Sequence, residues 1–381
     1  MTFDSYTLGE VCSFIDYRGK TPKKATTGIP LITAKIVKNG FISKPDEFIA
    51  EEDYDSWMHR GIPRKGSVIM TTEAPLGEVA RIPSDDRLAF AQRIIVLEPR
   101  QEILDAGFLY YALRDSVLMG RIKSRATGTT VTGIKAAALK KVEIDCPPIE
   151  TQKRVASLLS SLDQRIENNE SINDNLLQQL QAIYQQIFDS ASRNDGVLSD
   201  ICSYSQRRVA VASLTLESYY STENMLPEKA GAVSASSLPT IVQTTGCAPG
   251  DVLISNIRPY FKKIVYCRSE CGCSTDVLCF VPMEPCLSPF LFSTLYDDRF
   301  FDYMVAGSKG TKMPRGDKQQ IMAYPVVKPS NTQLERFNAL GEPILAKIES
   351  SNQENKRLSA IRDALLPKLM SGEIDVSSIT L

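Results

Sequence analysis

The sequence predicts an α+β protein in which two tandem mixed domains, related by pseudo-two-fold symmetry, are joined by two long antiparallel coiled-coil helices. Three observations carry that expectation. The chain repeats itself once, each copy runs from strand-like to helix-like sequence in the same order, and each ends in a long helix with a narrow apolar seam.

The repeat is collinear. Residues 7–14 (TLGEVCSF) align with 197–204 (VLSDICSY), and 65–69 (KGSVI) with 249–253 (PGDVL). Then 107–113 (GFLYYAL) aligns with 289–295 (PFLFSTL), 128–130 (GTT) with 310–312 (GTK), and 148–152 (PIETQ) with 329–333 (PSNTQ). The offset drifts only from 190 to about 182 residues, so each copy has the size of a domain and not of a solenoid repeat.

Within each copy, short apolar runs bounded by Gly and Pro read as strands: SVIMTT, RIIVLEP, DVLISN and VLCFVP. The stretches GFLYYALRDSVLMGRI and SPFLFSTLYDDRFFDYMV follow and read as helical. A polar Gly/Thr/Lys loop, a short strand and the long helix complete the unit. The expected boundaries are 1–150 for the first domain, 151–190 for its helix, 191–331 for the second domain and 332–381 for the second helix.

No Gly or Pro occurs between Pro148 and Gly196. Val155, Leu159, Leu162, Ile166, Asn169, Asn173, Leu176, Leu180, Ile183 and Ile187 alternate spacings of four and three, a heptad seam interrupted by two Asn. At 1.5 Å per residue the helix spans about 55–60 Å. Thr151 is the expected N-cap. The second seam is Ile344, Ile348, Ser351, Asn355, Leu358, Leu365 and Leu369, with Pro343 and Pro367 expected to bound or kink the helix. Helices this long with so narrow a stripe need a partner helix, and each is the other's nearest candidate. Buried Asn would fix their register.

Composition narrows the function. The chain has 381 residues with 43% hydrophobic and 23% charged, and a net charge of −1, which leaves any nucleic-acid binding to local clusters of Lys and Arg. No apolar run is long enough to span a membrane, and the start lacks a basic, then apolar, leader. With nine cysteines, an odd number, reduced thiols in a cytoplasm are expected. Cys271, Cys273 and Cys279 fit small apolar strand positions, no C-x2-C pair occurs, and no metal site is expected. A single histidine, His59, removes most His-based catalysis. There is no P-loop, no S-adenosylmethionine-type F-x-G-x-G and no N/D-P-P-Y/F tetrapeptide; Asp145-Cys146-Pro147-Pro148 reads as a strand-to-helix junction, and Asp85-Asp86 and Asp297-Asp298 as charged turns. No catalytic residue and no cofactor are assigned to this chain.

Two similar heads on long helices suit a long, nearly symmetric ligand, and duplex DNA offers reading sites about every 34–36 Å. The loops carry fitting chemistry, because Lys and Arg answer phosphates while Arg, Asn and Gln read base edges. Candidates in the first copy are Arg18, Lys20, Lys23, Lys35, Lys38, Gln92, Arg93, Arg125, Thr129, Thr130, Thr132 and Lys135. In the second they are Gln206, Arg207, Arg208, Asn256, Arg258, Tyr260, Lys262, Lys263, Lys309, Thr311, Lys312, Arg315 and Lys318.

The chain also resembles the specificity subunits of type I restriction-modification systems, over nearly its whole length. The resemblance rests on LGEVCSFIDYRGKTP, GIPLITAKIVKNGFI, MTTEAPLGEVA followed by AQRIIVLEP, SRATGTTVTGIKAAALKKVEIDCPPIETQKRVASLLSSLDQRIE, and the closing ALLPKLMSGEI. It thins at QRRVAVASLTLESYY, where the second copy departs from the first. It implies two target recognition domains, each reading half of a split DNA site, with helices that set the spacer and dock two modification subunits. Restriction and translocation subunits join through those. S-adenosylmethionine, ATP and Mg would then serve the partners. The competing expectations are a fused enzyme with degenerate motifs, and a coiled-coil scaffold that joins proteins without reading DNA.

Overall fold

The computed structural model describes residues 3–17, 21–128, 131–189 and 195–376. The chain divides into two compact units, Met1–Glu167 with Asn355–Leu381, and Asn168–Glu354. Each unit combines a globular part with a stretch of both long helices.

The principal strands of the first unit are β1 (Asp4–Thr7), β2 (Cys12–Asp16), β3 (Val68–Thr72), β4 (Leu76–Arg81), β5 (Ile94–Pro99) and β6 (Glu143–Cys146). β1 pairs with β6, and the main sheet has the order β2-β5-β3-β4, antiparallel throughout. β3 is buried at every position because both faces of the sheet are covered. Val68 and Met70 join a core with Phe108, Leu109 and Val155; Ile69 joins another with Leu31, Phe90 and Ile94. Strand alternation thus splits one apolar run between two cores.

In the second unit the strands are β7 (Gly196–Val197), β8 (Cys202–Tyr204), β9 (Val252–Ser255), β10 (Ile264–Tyr266), β11 (Val277–Pro282) and β12 (Pro325–Val326). β7 pairs with β12, and the main sheet runs β8-β11-β9-β10, the same order as in the first unit. Val252 and Ile254 face Phe290, Leu291 and Phe300. Leu253 faces the other way, into a cluster with Cys247, Cys267, Cys271, Cys273 and Cys279. The internal repeat read from sequence is therefore a repeat of topology.

The helical stretches are each two helices. The first unit has α1 (Ala106–Arg114) and α2 (Ser116–Ser124), followed in chain order by the long α3 (Ile149–Tyr184). The second has α4 (Ser288–Tyr296) and α5 (Asp298–Ala306). Asp115 and Asp297 make the breaks, each extended in backbone and accepting a hydrogen bond from the amide two residues on, Val117 and Arg299. A short acid that caps a new helix outcompetes continuation of the old one. Asp297 is therefore a cap and not only a charged turn.

The last helix, α6 (Asn331–Met370), runs through Pro343 and Pro367, which therefore do not bound it. Each forfeits one amide bond, and burial of the neighbouring Leu345 and Leu369 holds the helix across the gap. Likewise Thr151 is not the N-cap: α3 starts at Ile149, and the amides of Thr151 and Gln152 already bond to the Pro148 carbonyl. The two prolines fix the entry, so no side-chain cap is needed there.

Within each unit the two long helices run antiparallel. In the second unit Asn169 donates to Glu354 (3.0 Å), Asn173 to Asn352 (2.9 Å), and Leu180 lies against Gly341. In the first, Asp163 meets Arg362, and Arg154 donates to the Val376 carbonyl. Leu159, Ile166, Asn169, Asn173 and Leu180 are buried, while Leu162, Leu176, Ile344, Ile348, Asn355, Leu358 and Leu365 are half-buried. Leu345, not Ile344, is the fully enclosed residue at its turn.

Candidate nucleic-acid interface

The two units build one corner twice, from main-chain hydrogen bonds. In the first, the Thr72 amide, at the end of β3, donates to the Arg93 carbonyl (2.8 Å), and the Ile134 amide donates to the Thr72 carbonyl (2.9 Å). In the second, the Asn256 amide donates to the Asp276 carbonyl (2.8 Å), and the Gly316 amide to the Asn256 carbonyl (3.2 Å). Register fixes the equivalence, since Thr71 faces Ile94 in one sheet and Ser255 faces Val277 in the other.

A polar loop rises from each corner. Thr127 and Gly133 exchange two amide bonds (2.8 and 2.9 Å), as do Lys309 and Arg315 (both 2.9 Å). Each loop is thus pinched at its base, leaving a short tip. Gly128 (φ +119°) and Gly310 (φ +105°) take the first tip position, a conformation that L side chains rarely adopt.

These corners gather part of the sequence-derived set. Gln92, Arg93 and Lys135 line one groove of about 300 Å³ together with Thr72, Glu73 and Thr127. Arg93, itself at φ +75°, pairs through Nε with Glu73 Oε1 at 2.9 Å. In the second unit Arg315 pairs with Asp276 at 3.0 Å, and Lys309 with Asp317 at 2.6 Å. The Lys309 hydrogen bond holds the Asp317 carboxyl below its ordinary range, helped by the Gln320 and Gln319 amides it caps. Thr311, Lys312 and Lys318 are exposed on or beside that loop, and Asn256 is buried at its foot with its Oδ1 unbonded. Thr132 is exposed on the first loop, and Arg125 is exposed just before it.

Other candidates sit elsewhere or are occupied. Lys35 pairs with Asp46 at 2.7 Å; Lys23 and Lys38 are exposed on the same 21–49 segment. Arg207 is bonded to the buried Asp251, while Gln206 and Arg208 beside it are exposed. Lys262 pairs with Asp298 at 2.8 Å, which Lys229 also reaches, and these two ammonium groups lower the Asp298 carboxyl. Lys263 donates to the Thr222 carbonyl at 2.5 Å. Arg258 takes a left-handed conformation with its amide on the Pro314 carbonyl, and the Tyr260 ring beside it is exposed. Arg18, Lys20, Thr129 and Thr130 lie outside the described residues.

Sequence reading missed Glu73 and Asp276, the carboxylates that hold the two arginines. Nothing in their local pattern separates them from solvated acids; only the strand register brings them to the corner. Cys247, Cys267, Cys271, Cys273 and Cys279 of the second unit come together, with the Cys271 and Cys267 sulfurs 3.6 Å apart, while Cys286 is exposed outside the cluster. Among the described residues no group of three or more ligating side chains is placed to hold a metal ion. Among them, too, no helix is long and apolar enough to cross a membrane.

Residues 2–178 match the family model described as the type I restriction modification DNA specificity domain. Across 92% of its length the chain is 25% identical to the type I restriction enzyme MjaIX specificity subunit of Methanocaldococcus jannaschii, covering 88% of that protein. Over 43% of the chain it is 22% identical to the EcoKI specificity subunit of Escherichia coli K12, covering 35% of it. The crystal structure of a type I restriction-modification S subunit from M. genitalium shares the fold, with a TM-score of 0.54 at 18% identity over 97% of this chain and 96% of that one.

Proposed function

We propose that this chain is the sequence-reading subunit of a type I restriction-modification enzyme, and that each unit reads one half of a split DNA site. The observation that carries this reading is the corner built twice on one main-chain frame, with different side chains on each copy. A repeated frame fits two successive stretches of duplex, and different side chains fit different sequences. The paired long helices, 36 and 40 residues, supply a spacer between the half-sites and a surface for two modification subunits, through which restriction subunits join. Methyl transfer and cleavage belong to those partners with their S-adenosylmethionine, ATP and Mg; this subunit contributes binding and no catalytic group.

The test is to co-express the chain with its cognate modification subunit and map methylated adenines across a host genome. A split motif with two short defined halves and a constant gap is expected. A stable complex that leaves the genome unmethylated, with no affinity for DNA at any salt concentration, would overturn the reading in favour of a protein scaffold.

A further inference from the structure

We infer that the Arg93–Glu73 and Arg315–Asp276 pairs are specificity-determining, each reading one G·C base pair in its own half-site; the inference rests on the reading above. The two pairs occupy the same corner yet are built in opposite senses. By register, Arg93 corresponds to Asp276, Gly133 to Arg315 and Glu73 to Ile257. The guanidinium comes from the sheet side in the first unit and from the loop in the second, and the carboxylate changes places too. An Arg–carboxylate pair stands at this corner in both, although no residue of one matches its counterpart in the other.

Stability does not explain the pairs. Arg93 and Glu73 side chains are 47% and 42% exposed, Arg315 and Asp276 57% and 38%. Ion pairs that open to water contribute little. What the carboxylate does is fix the direction of a long, flexible guanidinium. In the first unit the contact is made through Arg93 Nε at 2.9 Å, and in the second through Arg315 Nη2 at 3.0 Å, so each carboxylate takes one edge of its guanidinium and leaves other N–H donors of the fork for a ligand. Two parallel N–H donors match guanine O6 and N7, and a carboxylate beside them accepts from cytosine N4. The donor–donor–acceptor order of the pair is the complement of a G·C edge in the major groove, and of no A·T edge.

The experiment uses the assembled methyltransferase carrying Arg93→Ala, Arg93→Lys, Glu73→Gln, Arg315→Ala or Asp276→Asn, each with its methylated sites mapped. The wild-type motif is expected to hold a G·C pair in each half. Arg93→Ala should relax one such position in one half, roughly ten- to a hundred-fold in preference, and Arg315→Ala one position in the other half. Arg93→Lys keeps the charge and should relax the same position, because an ammonium lacks the fork. The assembly yield of the Lys variant guards against a folding defect. An unchanged motif, or a loss spread equally over all sequences, would overturn the inference and leave the proposed function standing. A wild-type assembly with no split motif would overturn the proposed function itself.

Discussion

Asp163 on α3 and Arg362 on α6 meet at 2.7 Å inside the first unit, with side chains only 8% and 14% exposed. The same carboxylate accepts from Tyr111 (2.7 Å) and Arg114 (3.3 Å), so one buried acid holds two guanidiniums and a phenol. Burial opposes the Arg362 charge, yet the hydrogen bonds it donates to Asp163 and Asp363 raise its pKa. Removing Asp163 would take from Arg114 its carboxylate and leave Arg362 with Asp363 alone, both guanidiniums being largely shielded from water. Asp163→Ala should cost about 3–5 kcal/mol, measured by chemical denaturation. A loss under 1 kcal/mol would show that the network is solvated.

Lys135 and Lys312 stand exposed beside and on the two loops. If each meets a phosphate, Lys→Ala at either position should weaken binding of the assembly to all sequences alike. The slope of log K against log salt should also flatten by about 0.9 per lost contact. An unchanged slope would rule out a phosphate role.

Gly128 and Gly310 hold equivalent tip positions but not equivalent space. A Cβ on Gly128 would lie 2.1 Å from the Val131 carbonyl oxygen, against 3.4 Å to Met313 from Gly310. Gly128→Ala should therefore reshape its loop, at about 1–3 kcal/mol of strain, and abolish reading of one half-site. Gly310→Ala should be milder. Equal effects of the two substitutions on half-site affinity would contradict the geometry.

Eight cysteines are buried and Cys286 is exposed. A thiol reagent should modify one group quickly in the folded chain, and Cys286→Ser should remove that phase. Fast labelling of two or more thiols in the native protein would disprove the packing of the cysteine cluster.

Alkaline pH should destabilise the first unit. Burial pushes Cys12 and Cys146 up to about 12, from an ordinary value of 9.0. Because the folded chain holds these protons more tightly, their contribution is complete below pH 9 and drains away as pH rises from 9 to 12. Serine at both positions should flatten that decline in a denaturation series, and an unaltered pH profile would exclude these thiols as its cause.

The sequence showed most of the frame because a repeat reports two solutions to one folding problem. Alternating strands such as VIMTT and VLIS, and heptad spacing through Leu159, Ile166 and Leu180, depend only on local period. Boundaries were harder. Thr151 resembled a cap, but the prolines before it had already set the helix start; Pro343 resembled a stop, but buried Leu345 carried the helix through. Charged candidates were hardest, since a lysine facing a phosphate and one tied to Asp46, as Lys35 is, read alike along the chain. Only register tells that Arg93 and Arg315 stand at the equivalent corners of their two units.

That corner is tied together by amides and carbonyls, from Thr72 to Arg93 and Ile134 in one unit and from Asn256 to Asp276 and Gly316 in the other. None of those bonds depends on which side chain each residue carries. The side chains at 73, 257, 276 and 315 are therefore left out of the frame's bonding, whereas Gly133, whose Cβ would lie 3.1 Å from the Thr72 carbonyl oxygen, and Arg93, at φ +75°, are less freely replaced. A lineage under pressure to recognise new sites could change its target there by point substitution, much as movable type changes a text without recasting the press.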